Sequence, residues 1–453
     1  MKYYILTGII CMFFIFTLMS SLKSEEFNSQ EQEIKKITLN NGLDVILFEN
    51  HVVPLVTIEI ASKNGSFTET PDYNGLSHLY EHLFFKGNKV IPNQTQYKEK
   101  IRELGIDYNG VTSTESVRYY FTLPSYNLEQ GLTFMNDAIR SPLFDKQELD
   151  KEINVVLEEY NMKESRPYSH LFREINKRMF ADYYYKVNTI GDRKAIETAN
   201  SKKMLNIQKK FYVPNNCALI IAGDINENET LNLIKQIFGN WESGKNPFEQ
   251  EPPIKYPPLK ETQTVIVDQK VNNAAIMIKW NGPSVLFDKK DTCVADVCST
   301  VISLPTSKTY KKLVEAGIAV SMYLWSDNSQ FAPSVSFSCT VNPSKVMEAK
   351  KIMLEEIEKM SSPGYFSEDE VERAKKSIEV SYLFEQEDVQ EFALLLGSQW
   401  TTRGLDYYKD YLKNIGMVKK DNLIEFLKTY VIDKPYVMGI MVSKEDQEKY
   451  KIF

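Results

Sequence analysis

Histidine is scarce in this chain of 453 residues: only His51, His78, His82 and His170 occur, so any imidazole site must be built from those four. Cysteine is almost as rare. None of Cys11, Cys217, Cys293, Cys298 and Cys339 stands in a C-x-x-C arrangement, which argues against a thiolate zinc site. Cys11 falls in the N-terminal leader, and the other four read as small, buried apolar residues. Positive charge is not in excess. The 54 Lys and Arg against 61 Asp and Glu leave a formal charge of −7, which argues against nucleic acid as a partner, because phosphate binding needs a basic face. Past the first residues no apolar run is long enough to span a membrane. What the chain does contain is a balanced globular mixture, 43% hydrophobic and 25% charged, able to bury a sizeable core. Its length suits roughly two to four domains.

The N-terminus stands apart. Lys2 precedes an apolar run from Tyr3 to Met19, followed by Ser20-Ser21-Leu22-Lys23-Ser24. That pattern predicts a secretory signal over residues 1–24, with an uncleaved anchor as the alternative. The rest is then expected to be exported, periplasmic or extracytoplasmic, or tethered by its N-terminus. Residues 37–48 read as two strands about an Asn41-Gly42 turn, and Val56 to Ala61 as a third strand. Residues 241–260 hold five prolines, which resist helix and central strand, and mark the best boundary between two domains, 33–240 and 261–453.

The two sides look like copies of one unit. Phe144-Asp145-Lys-Gln-Glu148-Leu149 and Phe366-Ser367-Glu-Asp-Glu370-Val371 both read as helix starts. Asp145 or Ser367 caps the free N–H groups, Glu148 or Glu370 reaches back, and Phe144 or Phe366 staples the entry. Later, Phe211-Tyr212-Val213 leads into the apolar run Ala218 to Ala222, as Thr429-Tyr430-Val431 leads into Tyr436 to Val442. Phe366 lies 222 residues beyond Phe144, and Tyr430 lies 218 beyond Tyr212, which suggests an internal duplication.

Two of the four histidines are four apart, in His78-Leu-Tyr-Glu81-His82. Positions i and i+4 share a helix face, so both imidazoles can address one ion. Glu81 sits at the edge of that face, placed to reach a water beside the ion. Leu79, Leu83 and Phe84 are expected to face the core. Imidazole with carboxylate suits one zinc ion per chain, and a catalytic site keeps a fourth position open. The helix opening at Asp145 offers Glu152, Glu158 and Glu159 as the third ligand. Glu152 and Glu159 share a face, with Glu158 about 100° away, and helix geometry alone does not choose between Glu158 and Glu159.

The five residues from His78 to His82 form the inverted zinc motif of the inverzincins. Their surroundings resemble the pitrilysin/insulysin family, which includes mitochondrial processing peptidase. Leu39-Asn-Asn-Gly-Leu-Asp-Val45 is similar to its opening strand pair, Gly75 to Gly87 to its zinc helix, Tyr108 to Glu115 to its substrate-edge strand, and Glu152 to Glu159 to its distal glutamate segment. The resemblance implies an α+β fold: two homologous domains, each an antiparallel β-sheet covered by helices, forming a clam-like cavity. It implies a metalloendopeptidase with His78, His82 and Glu159 on zinc, Glu81 as catalytic base, and Glu152 steadying the site. Asn109, Gly110, Val111 and Thr112 map to the edge that pairs with the peptide substrate.

The second half departs from the first and from the family. Position 381 carries serine, and no histidine follows His170, so the second copy cannot rebuild the metal site. Many family members carry an Arg and a Tyr there that contact substrate. Val314 and Val320 occupy the matching positions. The expectation is a homo- or heterodimer in which a related subunit supplies the Arg and Tyr. A non-catalytic or partner-dependent subunit is the competing reading.

Overall fold

The computed structural model describes residues 33–453, so the expected leader lies outside the described residues. Among them, no helix is long and apolar enough to cross a membrane. Strands β1 (Lys35–Thr38) and β2 (Asp44–Glu49) form the expected hairpin, closed by Leu39 N–H donating to Leu43 O at 2.9 Å. With β3 (Leu55–Ser62), β4 (Asp107–Thr112), β5 (Val117–Pro124) and β6 (Cys217–Gly223) they build a six-stranded sheet in the order β1-β2-β6-β3-β5-β4. The second sheet contains β7 (Gln263–Asp268), β8 (Ala274–Asn281), β9 (Ala319–Asp327), β10 (Ser334–Val341) and β11 (Tyr436–Val442), in the order β7-β11-β8-β10-β9.

Set β1 aside and the two sheets have the same topology, strand for strand, which supports the duplication. The resemblance implies antiparallel sheets, but each sheet here contains one parallel pair. β2 runs parallel to β6 and β7 runs parallel to β11; every other pairing is antiparallel. The reason is connectivity. The last strand of each half returns from a helical stretch and inserts beside the first, and such a crossover can join parallel neighbours.

Six helices matter below: α1 (Leu76–Phe84), α2 (Lys146–Glu164), α3 (Pro167–Phe180), α4 (Lys289–Ser303), α5 (Glu368–Phe384) and α6 (Val389–Thr402). Asp145 caps α2, accepting from Gln147 N–H at 2.8 Å and Glu148 N–H at 3.2 Å. Ser367 and Glu370 form a reciprocal box on α5. Glu148 makes no such return bond on α2; it pairs with Lys151 at 2.6 Å.

The strands adjoining the sheet centres are buried on both faces. Cys217, Leu219 and Ile221 of β6 join a core with Leu79, Leu83 and Phe84 of α1. Ala218, Ile220 and Ala222, on the opposite face, pack on Val389, Phe392, Leu396 and Trp400 of α6, which belongs to the second half of the chain. The second sheet mirrors this. One face packs on Cys293, Val297 and Val301 of α4. The other packs on Leu171, Ile175 and Met179 of α3, from the first half. The halves have thus exchanged helices, and each fully buried large apolar side chain in these layers stabilises the fold by about 1.5–3 kcal/mol. The central strands have no bare face left, so the clam-like cavity expected between the halves is not lined by them. Cys217, Cys293, Cys298 and Cys339 are buried and free, as their apolar setting predicts.

Candidate metal centre

The site starts with how α1 is held. Its first turn is capped from a distance: Gly75 N–H and Ser77 N–H each donate to the buried Glu69 carboxylate at 2.8 Å. Nine residues make a short helix, so an acid at its positive end and the packing of Leu79, Leu83 and Phe84 fix its position. The His78 and His82 rings then stand one turn apart, centroids 4.8 Å from each other and planes perpendicular.

From α2, Glu159 points between them. Its Oε2 lies 3.6 Å from His78 Nε2 and its Oε1 lies 3.6 Å from His82 Nε2. One donor atom from each of the three residues falls within 4.8 Å of the others. Tetrahedral ligands about 2.0–2.1 Å from zinc are separated by about 3.4 Å, so the two nitrogens and the carboxylate fit that ion. Glu158 is exposed, whereas Glu159 is the one turned toward the two rings.

Glu152 is buried beneath the trio. Its Oε2 is 3.3 Å from His82 Nδ1, and Lys86 Nζ reaches its Oε1 at 2.7 Å. Burial opposes charge on Glu152, but the His82 and Lys86 bonds outweigh it and hold its pKa below the usual carboxylate range. Burial likewise opposes protonation of His82, yet the Glu152 bond and the charges of Glu159 and Glu81 lift its pKa. His78 has no such support. Burial, then the neighbouring charges of His82 and Lys163, push its pKa down to about 4, and its Nδ1 is buried without a hydrogen-bond partner among the described residues. A neutral imidazole is the form that ligates a metal.

Glu81 stays outside the trio. Thr112 Oγ1 donates to its Oε2 at 2.7 Å, and burial raises its pKa against that bond. β4 passes very close: a Cβ at position 110 would lie 2.6 Å from Glu81 Cγ, so glycine is what lets the strand approach. β4 is also the edge of its sheet, pairing only with β5. Asn109 is exposed and Gly110, Val111 and Thr112 are partly so, leaving a main-chain edge open beside Glu81.

The structure brings His78, His82, Glu81, Glu152, Glu159 and β4 together. His51 lies elsewhere, bridging Glu49 and Asp224 on the surface, and His170 sits against Glu164 O at 2.6 Å. Val320 is exposed on the edge strand β9, while Val314 packs partly on the second core. Sequence reading missed Lys86, which lies in the turn just past the end of α1, where helical spacing gives no signal. It also missed Glu69, whose remote cap has no local signature.

Two family models match the chain: "Insulinase (Peptidase family M16)" over residues 44–193 and "Peptidase M16 inactive domain" over residues 198–378. A relative from Helicobacter pylori, "Zinc protease PqqE", is 23% identical over 427 residues, covering 92% of this chain and 94% of its own. Among solved structures, a protease from Helicobacter pylori superposes with a TM-score of 0.82 at 20% identity, covering 91% of this chain and all (100%) of that one. The first half of the periplasmic protease PqqL from Escherichia coli gives a TM-score of 0.77 at 19% identity, covering 92% of this chain and 94% of that fragment. Against the whole of PqqL, this chain spans 48% of the length. Fold, paired M16 matches and relatives called zinc proteases agree: the chain belongs to peptidase family M16.

Proposed function

We propose that this protein is a zinc-dependent endopeptidase in which His78, His82 and Glu159 hold the metal and Glu81 is the general base. The observation that carries the reading is the convergence of three donor atoms within 4.8 Å, with a fourth, unligated carboxylate beside them. Zinc bound there supplies Lewis-acid activation of a water and of the scissile carbonyl. The remaining work belongs to the chain. Thr112 occupies Oε2 of Glu81, leaving Oε1 to take the proton of the water and later deliver it to the leaving amine. Burial raises the pKa of Glu81, which helps it return that proton. Glu152 accepts the Nδ1–H of His82 and so keeps Nε2 free for the metal. The substrate joins the open edge of β4 as an added strand at Asn109 to Thr112, so recognition is largely through main chain.

Zinc analysis and a peptide-cleavage assay on the purified chain test this. Glu81→Gln is expected to retain zinc and lose hydrolysis; activity equal to the parent would remove the mechanism. Glu159→Gln is expected to lose more zinc than Glu158→Gln, and the reverse order would overturn the ligand assignment.

We further propose that the working unit contains two such chains. Val314 and Val320 supply neither the Arg nor the Tyr of the family, and the match to the first half of PqqL supports a second, related half supplied by another subunit. Full cleavage by the isolated chain would count against this. The periplasmic setting of PqqL supports export, and the five prolines of residues 241–260, just before β7, support a boundary between the halves there.

A further inference from the structure

One cation close to the candidate metal site has no partner among the described residues. Lys163 follows Glu159 by four residues on α2, so it lies on the same face about 6 Å further along the helix axis. It lines a cavity of about 410 Å³ whose walls include Tyr160, Arg173, Lys177, Tyr184 and Asp192. Lys163 is half-buried, and burial lowers its pKa. Its charge is also felt at His78.

Lys163 feels the charge of Glu164, but among the described residues no acid pairs with it. Glu159 is turned to the two histidines. Glu164 is paired with Arg173. Asp192 accepts the N–H groups of Lys194 and Ala195 at 2.9 and 3.1 Å. Among the described residues, the Lys163 ammonium makes neither a hydrogen bond nor an ion pair. A partly desolvated ammonium with all its neighbours committed is a site for a carboxylate, because a charge-assisted bond there replaces lost hydration.

We propose that Lys163, in the cavity one helical turn beyond Glu159, binds a carboxylate of the peptide substrate near the scissile bond. This rests on the peptidase reading above, and it gives that site a preference for peptides carrying an acidic side chain or a free C-terminus close to the cleaved bond. Main-chain pairing on β4 is blind to side chains, so Lys163 supplies selectivity that the strand edge lacks.

The test is peptide binding to the zinc-loaded full chain carrying Glu81→Gln, which keeps bound peptide uncut. A neutral, N-acetylated and C-amidated fluorescent peptide is compared with a series in which one Glu is moved along it, and with the same peptide bearing a free C-terminal carboxylate. At one position, or at the free terminus, binding is expected to tighten about fivefold or more. Adding Lys163→Met should abolish the gain, and Lys163→Glu should reverse it. The Glu series and the free-terminus peptide separate the two sources of carboxylate. A gain below about twofold throughout, or one that survives Lys163→Met, overturns the proposal. Zinc content, measured on the same samples, reports separately on the metal site, so failure of one reading is distinguishable from failure of the other.

Discussion

Glu59 allows a sharp test of how the halves are joined. It lies on β3 with no exposed surface, on the face covered by the exchanged helix α6, and its carboxylate sits where a Cβ on Gly397 would come within 2.4 Å of it. Among the described residues neither oxygen has a hydrogen-bond partner, and Arg118 Nη1 stands 3.6 Å away while bonding to Leu394 O. Burial raises the pKa of Glu59 from 4.5 to about 8, with Arg118 opposing only in part. The folded chain therefore holds this proton more tightly than the unfolded chain. The stabilisation is full below pH 4.5 and is lost as pH rises toward 8. Between about pH 5.5 and about pH 8.5 the loss amounts to about 3 kcal/mol from this residue. Glu59→Gln mimics the protonated form and removes the linkage. Hydrogen exchange of residues 389–402, followed by mass spectrometry, reads the opening of α6 directly. Parent and variant should match below pH 4.5, and near the lower pH of the window the parent should already exchange about tenfold faster. Toward the higher pH that excess should grow by a further factor of about a hundred. A parent-to-variant ratio that stays constant across the range would refute the argument.

Three other perturbations have defined outcomes. Glu152→Gln should weaken zinc binding about 10–100-fold, measured by competition with a chelator, because His82 loses the acceptor that fixes its ring. Gly110→Ala places a methyl on Glu81 and should lower kcat far more than it lowers zinc content, since the base moves while the ligands stay. Phe392→Ala removes a buried ring that packs edge-on against Phe48 with centroids 4.5 Å apart, and should destabilise the docking of α6 by about 3–5 kcal/mol, read as earlier thermal unfolding.

The helix α1 was legible because its signal is local: two imidazoles at helical spacing around an acid, with Leu79, Leu83 and Phe84 marking the buried side. Spacing did not choose between Glu158 and Glu159, since adjacent glutamates on one helix differ only in direction; in the structure Glu158 is exposed and Glu159 faces the two rings. β6 and β11 were legible as apolar runs. Such runs announce burial on both faces, but not that the second cover for β6 comes from Phe392 and Leu396, far along the chain. The parallel pairs escaped notice for the same reason, as strand direction depends on a route through many helices. Lys86 and Thr112 act through Glu152 and Glu81, and contacts at that remove leave little trace in a single sequence.

The mutual exchange of α3 and α6 sets the order in which the protein can be completed during synthesis. The first sheet is made by residue 223, yet its far side stays uncovered until residues 389–402 leave the ribosome. Until then Ile46, Phe48 and Ile220 are a sticky surface on a growing chain. A nascent chain therefore cannot finish covering its first sheet until residues 389–402 have emerged.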